Sequence, residues 1–99
     1  MKRAGMHDNA MKYYKNAMDL EPDNSVYLYN AGVLMNIKQE YPQAIEMLER
    51  SINQNRDNVY AYLALGDAYE RKKDLKKAIY VYRDLSSLGI NVHGLKEKL

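Results

Sequence analysis

Apolar residues recur along this chain at helical spacing, in short stripes separated by polar breaks. Residues 25–38 place Leu28, Ala31, Gly32 and Met35 on one face, and residues 59–72 place Tyr62, Leu65, Gly66 and Tyr69 at the same offsets. A second kind of stripe runs Ala10-Tyr14-Ala17, Ala44-Leu48-Ser51 and Ala78-Tyr82-Leu85. The breaks carry helix punctuation. Asp23-Asn24 and Asp57-Asn58 can accept hydrogen bonds from the unpaired amides of the turn that follows. Pro42 suits the first turn of a helix, where its missing N–H costs nothing. Gly89, after Ser86-Ser87-Leu88, reads as a helix stop with Ile90 packing back.

The stripes repeat in one register. Gly32 and Gly66 are 34 residues apart, and Ala10, Ala44 and Ala78 recur at the same interval. Glu21 and Asn55 keep it, as do Asp23-Asn24 and Asp57-Asn58. Glu40 matches Asp74, and Ile45 matches Ile79 with Met11 as the apolar equivalent. Each period holds two amphipathic helices. A glycine inside a helix costs about 1 kcal/mol relative to alanine, so Gly32 and Gly66 need a reason. Close approach of two helices supplies it: Gly32 is expected to face Ala44, and Gly66 to face Ala78.

The run Tyr62-x-x-Leu65-Gly66-x-x-Tyr69, followed by Ala78-x-x-x-Tyr82, resembles the tetratricopeptide repeat signature. Leu28, Ala31, Gly32, Met35, Ala44 and Leu48 follow the same pattern, and Ala10, Tyr14, Ala17 and Pro22 match its second half. The resemblance implies an all-α fold of antiparallel helix pairs stacked into a right-handed superhelix, about two and a half repeats long. Residues 1–24 are a partial repeat, mainly its second helix. Residues 25–58 and 59–92 are full repeats, and 93–99 form a short C-terminal cap with Leu95 and Leu99 on one face. Two departures stand out. The family often has glycine at the turn between its helices; Gly5 fits, but Gln39 and Lys73 stand at the other two turns. Its closing proline survives as Pro22, while Arg56 and Ile90 replace it elsewhere. These departures predict a more continuous helix or an altered turn. Met11, Tyr14 and Met18 are expected to be partly uncovered, as in a fragment of a longer array or a self-associating chain.

Composition changes this picture mostly by exclusion. The 99 residues include no Cys, so there is no disulfide scaffold and no thiolate zinc site. MKRAGMHDNA has no apolar stretch after it and is not a secretory signal, and no run is long enough to span a membrane. A cytoplasmic location is expected. The net charge of +2 argues for no particular partner. His7 and His93 are the only histidines, and neither has a metal-ligand spacing. His7-Asp8 reads as solvated surface, and Ser25, Ser51, Ser86 and Ser87 have no nearby histidine. Glu46 and Glu49, with Arg50, read as a charged outer face. No catalytic residue, metal site or cofactor is expected. The basic run Arg71-Lys72-Lys73-Asp74-Leu75-Lys76-Lys77 reads as a solvated turn near a helix C-terminus, which disfavours nucleic acid or anionic lipid as the partner. Of the ten tyrosines, Tyr14, Tyr62, Tyr69 and Tyr82 fall in core stripes; Tyr29 and Tyr60 do not.

In proteins of the resembled family the first helix of each repeat lines a concave groove. Carried onto this chain, that groove comprises Val26, Tyr29, Asn30, Val33, Asn36, Ile37, Tyr60, Leu63, Ala64, Asp67, Glu70 and Arg71. Val33, Ile37 and Leu63 are apolar residues outside the internal seam; either they form a binding patch or they pack against neighbouring repeats. Tyrosine hydroxyls, Asn30 and Asn36 would hold the backbone of an extended or helical peptide. The repeats that grip the C-terminal tail of heat-shock chaperones use Lys, Asn and Arg here. Asn30 matches that Asn, but Tyr60 and Ala64 occupy the sites of the Lys and Arg, which argues against that role. Asp67 and Glu70 point to a neutral or basic ligand. The expected function is a non-catalytic protein-interaction module that binds a peptide or protein segment. The alternative is a structural repeat that homo-oligomerises through its N-terminal helix face.

Overall fold

Two asparagines start the leading helix of each repeat. Asn24 Oδ1 accepts from the amides of Val26 and Tyr27 at 2.9 and 3.3 Å. Asn58 Oδ1 accepts from Tyr60 and Ala61 at 3.1 and 3.3 Å. Capping of this kind supplies acceptors to amides that have no partner within their own helix. The computed structural model describes residues 2–22 and 24–87, with side chains from Asn9 onward. Among the described residues five helices follow in order: α1 (Lys2–Leu20), α2 (Ser25–Ile37), α3 (Tyr41–Gln54), α4 (Val59–Arg71) and α5 (Leu75–Ser87). There is no strand among the described residues. Helix α2 packs on α3 and α4 packs on α5, while α3 and α4 join the two pairs and α1 lies against α2. The fold is an all-α helical repeat. The cap expected over 93–99, the stop at Gly89 and Ile90, and Asp23 lie outside the described residues, as do the side chains of His7 and Asp8.

The turns between paired helices correct the expectation drawn from their missing glycines. Gln39 and Lys73 both adopt left-handed backbone, with φ of 64° and 68°. The Gln39 and Glu40 amides donate to the carbonyls of Asn36 and Met35 at 3.0 and 2.8 Å. Lys73 and Asp74 repeat the bonds to Glu70 and Tyr69 at 2.9 and 2.8 Å. This paired closure is how a left-handed residue ends a helix and satisfies its last carbonyls. The tight turn is therefore kept, without glycine. The third expected turn does not form: α1 runs through Gly5 as continuous helix. At the missing proline of Arg56, helix α3 still stops at Gln54. Asn55 makes the turn instead, its Oδ1 accepting from the Asp57 amide at 3.0 Å. Pro42 sits in the first turn of α3.

The seam is buried where the stripes run. Leu28, Ala31, Ala44, Leu48, Ala61 and Leu85 have essentially no exposure. Gly32 and Gly66 are buried in it, but their close partners lie one turn beyond those expected. A Cβ on Gly32 would stand 2.6 Å from Leu48 Cγ, with the Ala44 carbonyl oxygen at 3.4 Å. A Cβ on Gly66 would strike the ring of Tyr82, its Cζ at 2.5 Å. Ser51, fully buried, donates to the Ser25 carbonyl at 2.8 Å and so keeps α3 close to the start of α2. On α1, Tyr14 and Met18 are half-buried, Met11 packs against the central cluster, and Tyr13 and Leu20 are exposed.

Candidate functional site

Stacking the two pairs brings α2 and α4 side by side, and a cleft of about 520 Å³ opens between them. Nine of the residues anticipated for the groove line it: Tyr29, Val33, Asn36, Ile37, Tyr60, Leu63, Ala64, Asp67 and Arg71. Val26, Asn30 and Glu70 are not part of its lining, and Gln39 and Tyr82 join it. Tyr82 belongs to α5, and its spacing places it in a core stripe. It reaches the cleft because Gly66 leaves room for its ring, and its hydroxyl donates to a carboxylate oxygen of Glu70. The signal was present in the spacing, since Gly66 requires a close partner from α5. Gln39 enters through the left-handed turn, which periodicity does not encode.

The lining residues divide by role. Leu63 is only 2% exposed, so it forms the floor and holds α4 in place, the packing alternative of its two expected roles. Ile37 and Tyr60 are 53% and 51% exposed and offer contact area. Tyr29 is half-buried. Its hydroxyl is pushed above its ordinary pKa by burial and then by the neighbouring Tyr60. Asn36 is mostly spent on the fold: its Nδ2 donates to the Ala64 carbonyl at 3.1 Å and ties α2 to α4. Its Oδ1 is buried and has no partner among the described residues.

The charges also differ from expectation. Asp67 does not confront a ligand as a free acid. The Arg71 Nε–H donates to both its carboxylate oxygens, at 3.2 and 3.1 Å. Arg71 is held further toward its charged form by a hydrogen bond with Tyr41 and by Asp67. Glu70 accepts from Tyr82, and burial with that bond raises the Tyr82 pKa. Both acids therefore have partners within the chain, Asp67 a guanidinium and Glu70 a hydroxyl group. The basic run is partly engaged as well: Lys77 Nζ lies 5.8 Å from the centroid of the Tyr69 ring. Cation–π geometry of that kind is worth about 0.5–1 kcal/mol at an exposed site.

On the opposite side, a hollow of about 640 Å³ lies between α3 and α5. Its lining mixes Glu49, Arg56, Lys77 and Asp84 with Tyr62, Tyr69 and Tyr80. Tyr69 donates to Glu49 Oε2 at 3.1 Å, so Glu49 is not merely a solvated charge. Burial first, then Glu49, pushes the Tyr69 hydroxyl up to about 12. Arg50 reaches across to donate to the Pro22 carbonyl at 3.2 Å. Among the described residues, no three His, Cys, Asp or Glu side chains gather as a metal site would need. No described helix is long and apolar enough to cross a membrane.

Comparison with known proteins agrees with this architecture. A family model described as tetratricopeptide repeat matches residues 38–87, and a second model of the same description matches residues 2–24. The chain is 32% identical over 79 residues to the general transcriptional corepressor trfA of Dictyostelium discoideum. That alignment covers 80% of this chain and 6% of the corepressor, so the chain spans only a small part of that relative's length.

Proposed function

The chain belongs to the tetratricopeptide repeat family, and from that premise we propose that it is a non-catalytic interaction module whose α2–α4 cleft binds a segment of a partner protein. Repeats of this family generally mediate protein–protein interaction. One observation carries the assignment to the cleft. Ile37 and Tyr60, both about half exposed, stand over a fully packed floor that includes Leu63. Exposed apolar and aromatic area on a rigid concavity is what a recognition surface needs. A relative named as a transcriptional corepressor is compatible with a module that recruits proteins, and with action inside the cell. Within the basic run, Arg71 and Lys77 have contacts inside the chain, and the reading taken is a protein partner and not nucleic acid.

The test is affinity capture from a cell lysate with wild type and with Ile37→Ala/Tyr60→Ala, the two compared for helicity by circular dichroism. Both side chains are exposed enough that the variant should keep its fold. A protein held by wild type and released by the variant is the expected result. Equal retention by both would remove the cleft from consideration.

A second reading rests on α1, where Tyr13 and Leu20 are exposed and Tyr14 and Met18 half-buried. This face could pair with another copy. It calls for a mass that rises with concentration and falls back on Met18→Lys, read by analytical ultracentrifugation.

A further inference from the structure

We infer that the open face of α5 is a second docking surface, for an amphipathic helix of a partner protein that carries carboxylates beside its apolar stripe. The chain holds its own template for such packing. On α3, Ile45 is buried in a cluster with Ala68 and Tyr69 of α4, and the Tyr69 hydroxyl donates to Glu49. In the 34-residue register these two α3 positions become Ile79 and Arg83 on α5. Among the described residues no helix lies beyond α5 to cover them. Ile79 is 56% exposed, and Leu75, one turn earlier, is 61% exposed. Leu75, Ile79 and Arg83 follow one another at intervals of four, so they form one row along the helix. None of them lines the α2–α4 cleft.

Charge decides the occupant. Where α3 has an acid, α5 has Arg83. A helix laid on α5 as α4 lies on α3 therefore meets a guanidinium. Arg83 is exposed, with its Cζ 5.9 Å from the centroid of the Tyr80 ring. A ring contact of that kind does not use up the N–H donors of the fork. Asp84, the next residue, lines the hollow between α3 and α5. Lys76, also exposed, flanks the row and adds a second cation. A partner carboxylate gains a charge-assisted hydrogen bond here, while its apolar stripe covers Leu75 and Ile79. A second copy of this chain fits less well. Symmetric pairing of two α5 faces brings Lys76 and Arg83 of both copies to one interface. On α1, the exposed Tyr13 is flanked by exposed Lys12 and Lys15, which repeats the sign. Like charges set against each other oppose association.

The probe is a phage-displayed library of helix-forming peptides with an Ala/Leu stripe fixed at helical spacing and every other position random. It is panned on the whole chain and depleted on Leu75→Ser/Ile79→Ser, with helicity checked by circular dichroism; if that variant loses helicity, Ile79→Ser alone replaces it. Enriched peptides should share Asp or Glu beside the stripe. Their affinity should fall more than about fivefold between about 50 and about 500 mM NaCl. Arg83→Glu should weaken the best binder about tenfold, and changing the peptide's acidic residue to Arg should restore binding to Arg83→Glu. Ile37→Ala/Tyr60→Ala should leave the affinity unchanged. Neutral or basic flanks, equal binding by wild type and Arg83→Glu, or loss of binding with Ile37→Ala/Tyr60→Ala would each overturn the inference. So would the absence of any binder after depletion, the result expected if residues 88–99 of the chain itself or a second copy cover this face. Each of these outcomes leaves the reading of the cleft intact.

Discussion

Ile45 and Ile79 occupy the same position one repeat apart, yet the first is 9% exposed and the second 56%. Ile45 lies on α3 and shares a buried cluster with Ala68 and Tyr69 of α4. Ile79 lies on α5, where Leu75 is exposed beside it. Leu48 and Tyr82 differ in the same direction. Leu48 is sealed against Gly32, while Tyr82 lies against Gly66 with its hydroxyl on Glu70 and part of its surface in the cleft. Equivalent spacing thus gives each helix its place, but what packs on a helix decides how much each residue contributes. An aliphatic residue serves where a position is closed on all sides. A tyrosine serves where one edge of the ring meets solvent or a polar partner.

The largest effect expected from this contrast is at the isoleucines. Ile45→Ala should destabilise by about 3 kcal/mol, from lost transfer energy and a cavity. Ile79→Ala should stay within about 0.5 kcal/mol. Urea unfolding followed by circular dichroism measures both, and similar losses at the two sites would mean that the outer face of α5 is covered after all. The glycines come next. Gly32→Ala should cost about 2–3 kcal/mol, because Leu48 is enclosed and cannot yield. Gly66→Ala should cost about 1 kcal/mol, since the Tyr82 ring can swing toward the cleft. A larger loss at Gly66 than at Gly32 would reverse the comparison.

Smaller still are the two turns, where the repeats agree. Gln39→Gly and Lys73→Gly each relieve left-handed strain and raise unfolded-chain entropy, for a net gain of about 0.5 kcal/mol. Equal gains at both would confirm that the turns are equivalent while the seams are not. The last contrast is with pH. Tyr69 is raised from 10.0 to about 12 in the fold. Its neutral form is therefore favoured in the native state. The stability that results is fully present below about pH 10 and is lost as pH rises from there toward about 12. Urea midpoints measured across that window should fall less steeply for Tyr69→Phe than for wild type.

The helix pairs and their seam were legible because burial at a 34-residue interval repeats in the sequence. Gly32 and Gly66 announced close packing, although Leu48 and Tyr82, not Ala44 and Ala78, turned out to be the nearest side chains. The position of the cleft followed from which helix leads each pair. Its chemistry did not. Periodicity cannot show that Asn36 is used across repeats on Ala64, that Asp67 is neutralised by Arg71, or that Leu63 is floor and not wall. Each depends on how two helices distant in sequence are set against one another. The turns were misjudged for a different reason. A residue's identity biases backbone φ, but hydrogen bonds from both sides hold Gln39 and Lys73 in a conformation that glycine usually takes.

The most direct test of the central claim is a nitrogen-15 amide spectrum of the chain titrated with the protein segment recovered by capture. Binding in the cleft predicts shifts concentrated at Tyr29, Val33, Ile37, Tyr60 and Ala64, with the outer face of α5 unchanged. Shifts confined to Leu75, Ile79 and Tyr80 would contradict it and move the functional surface to the exposed side of the second repeat.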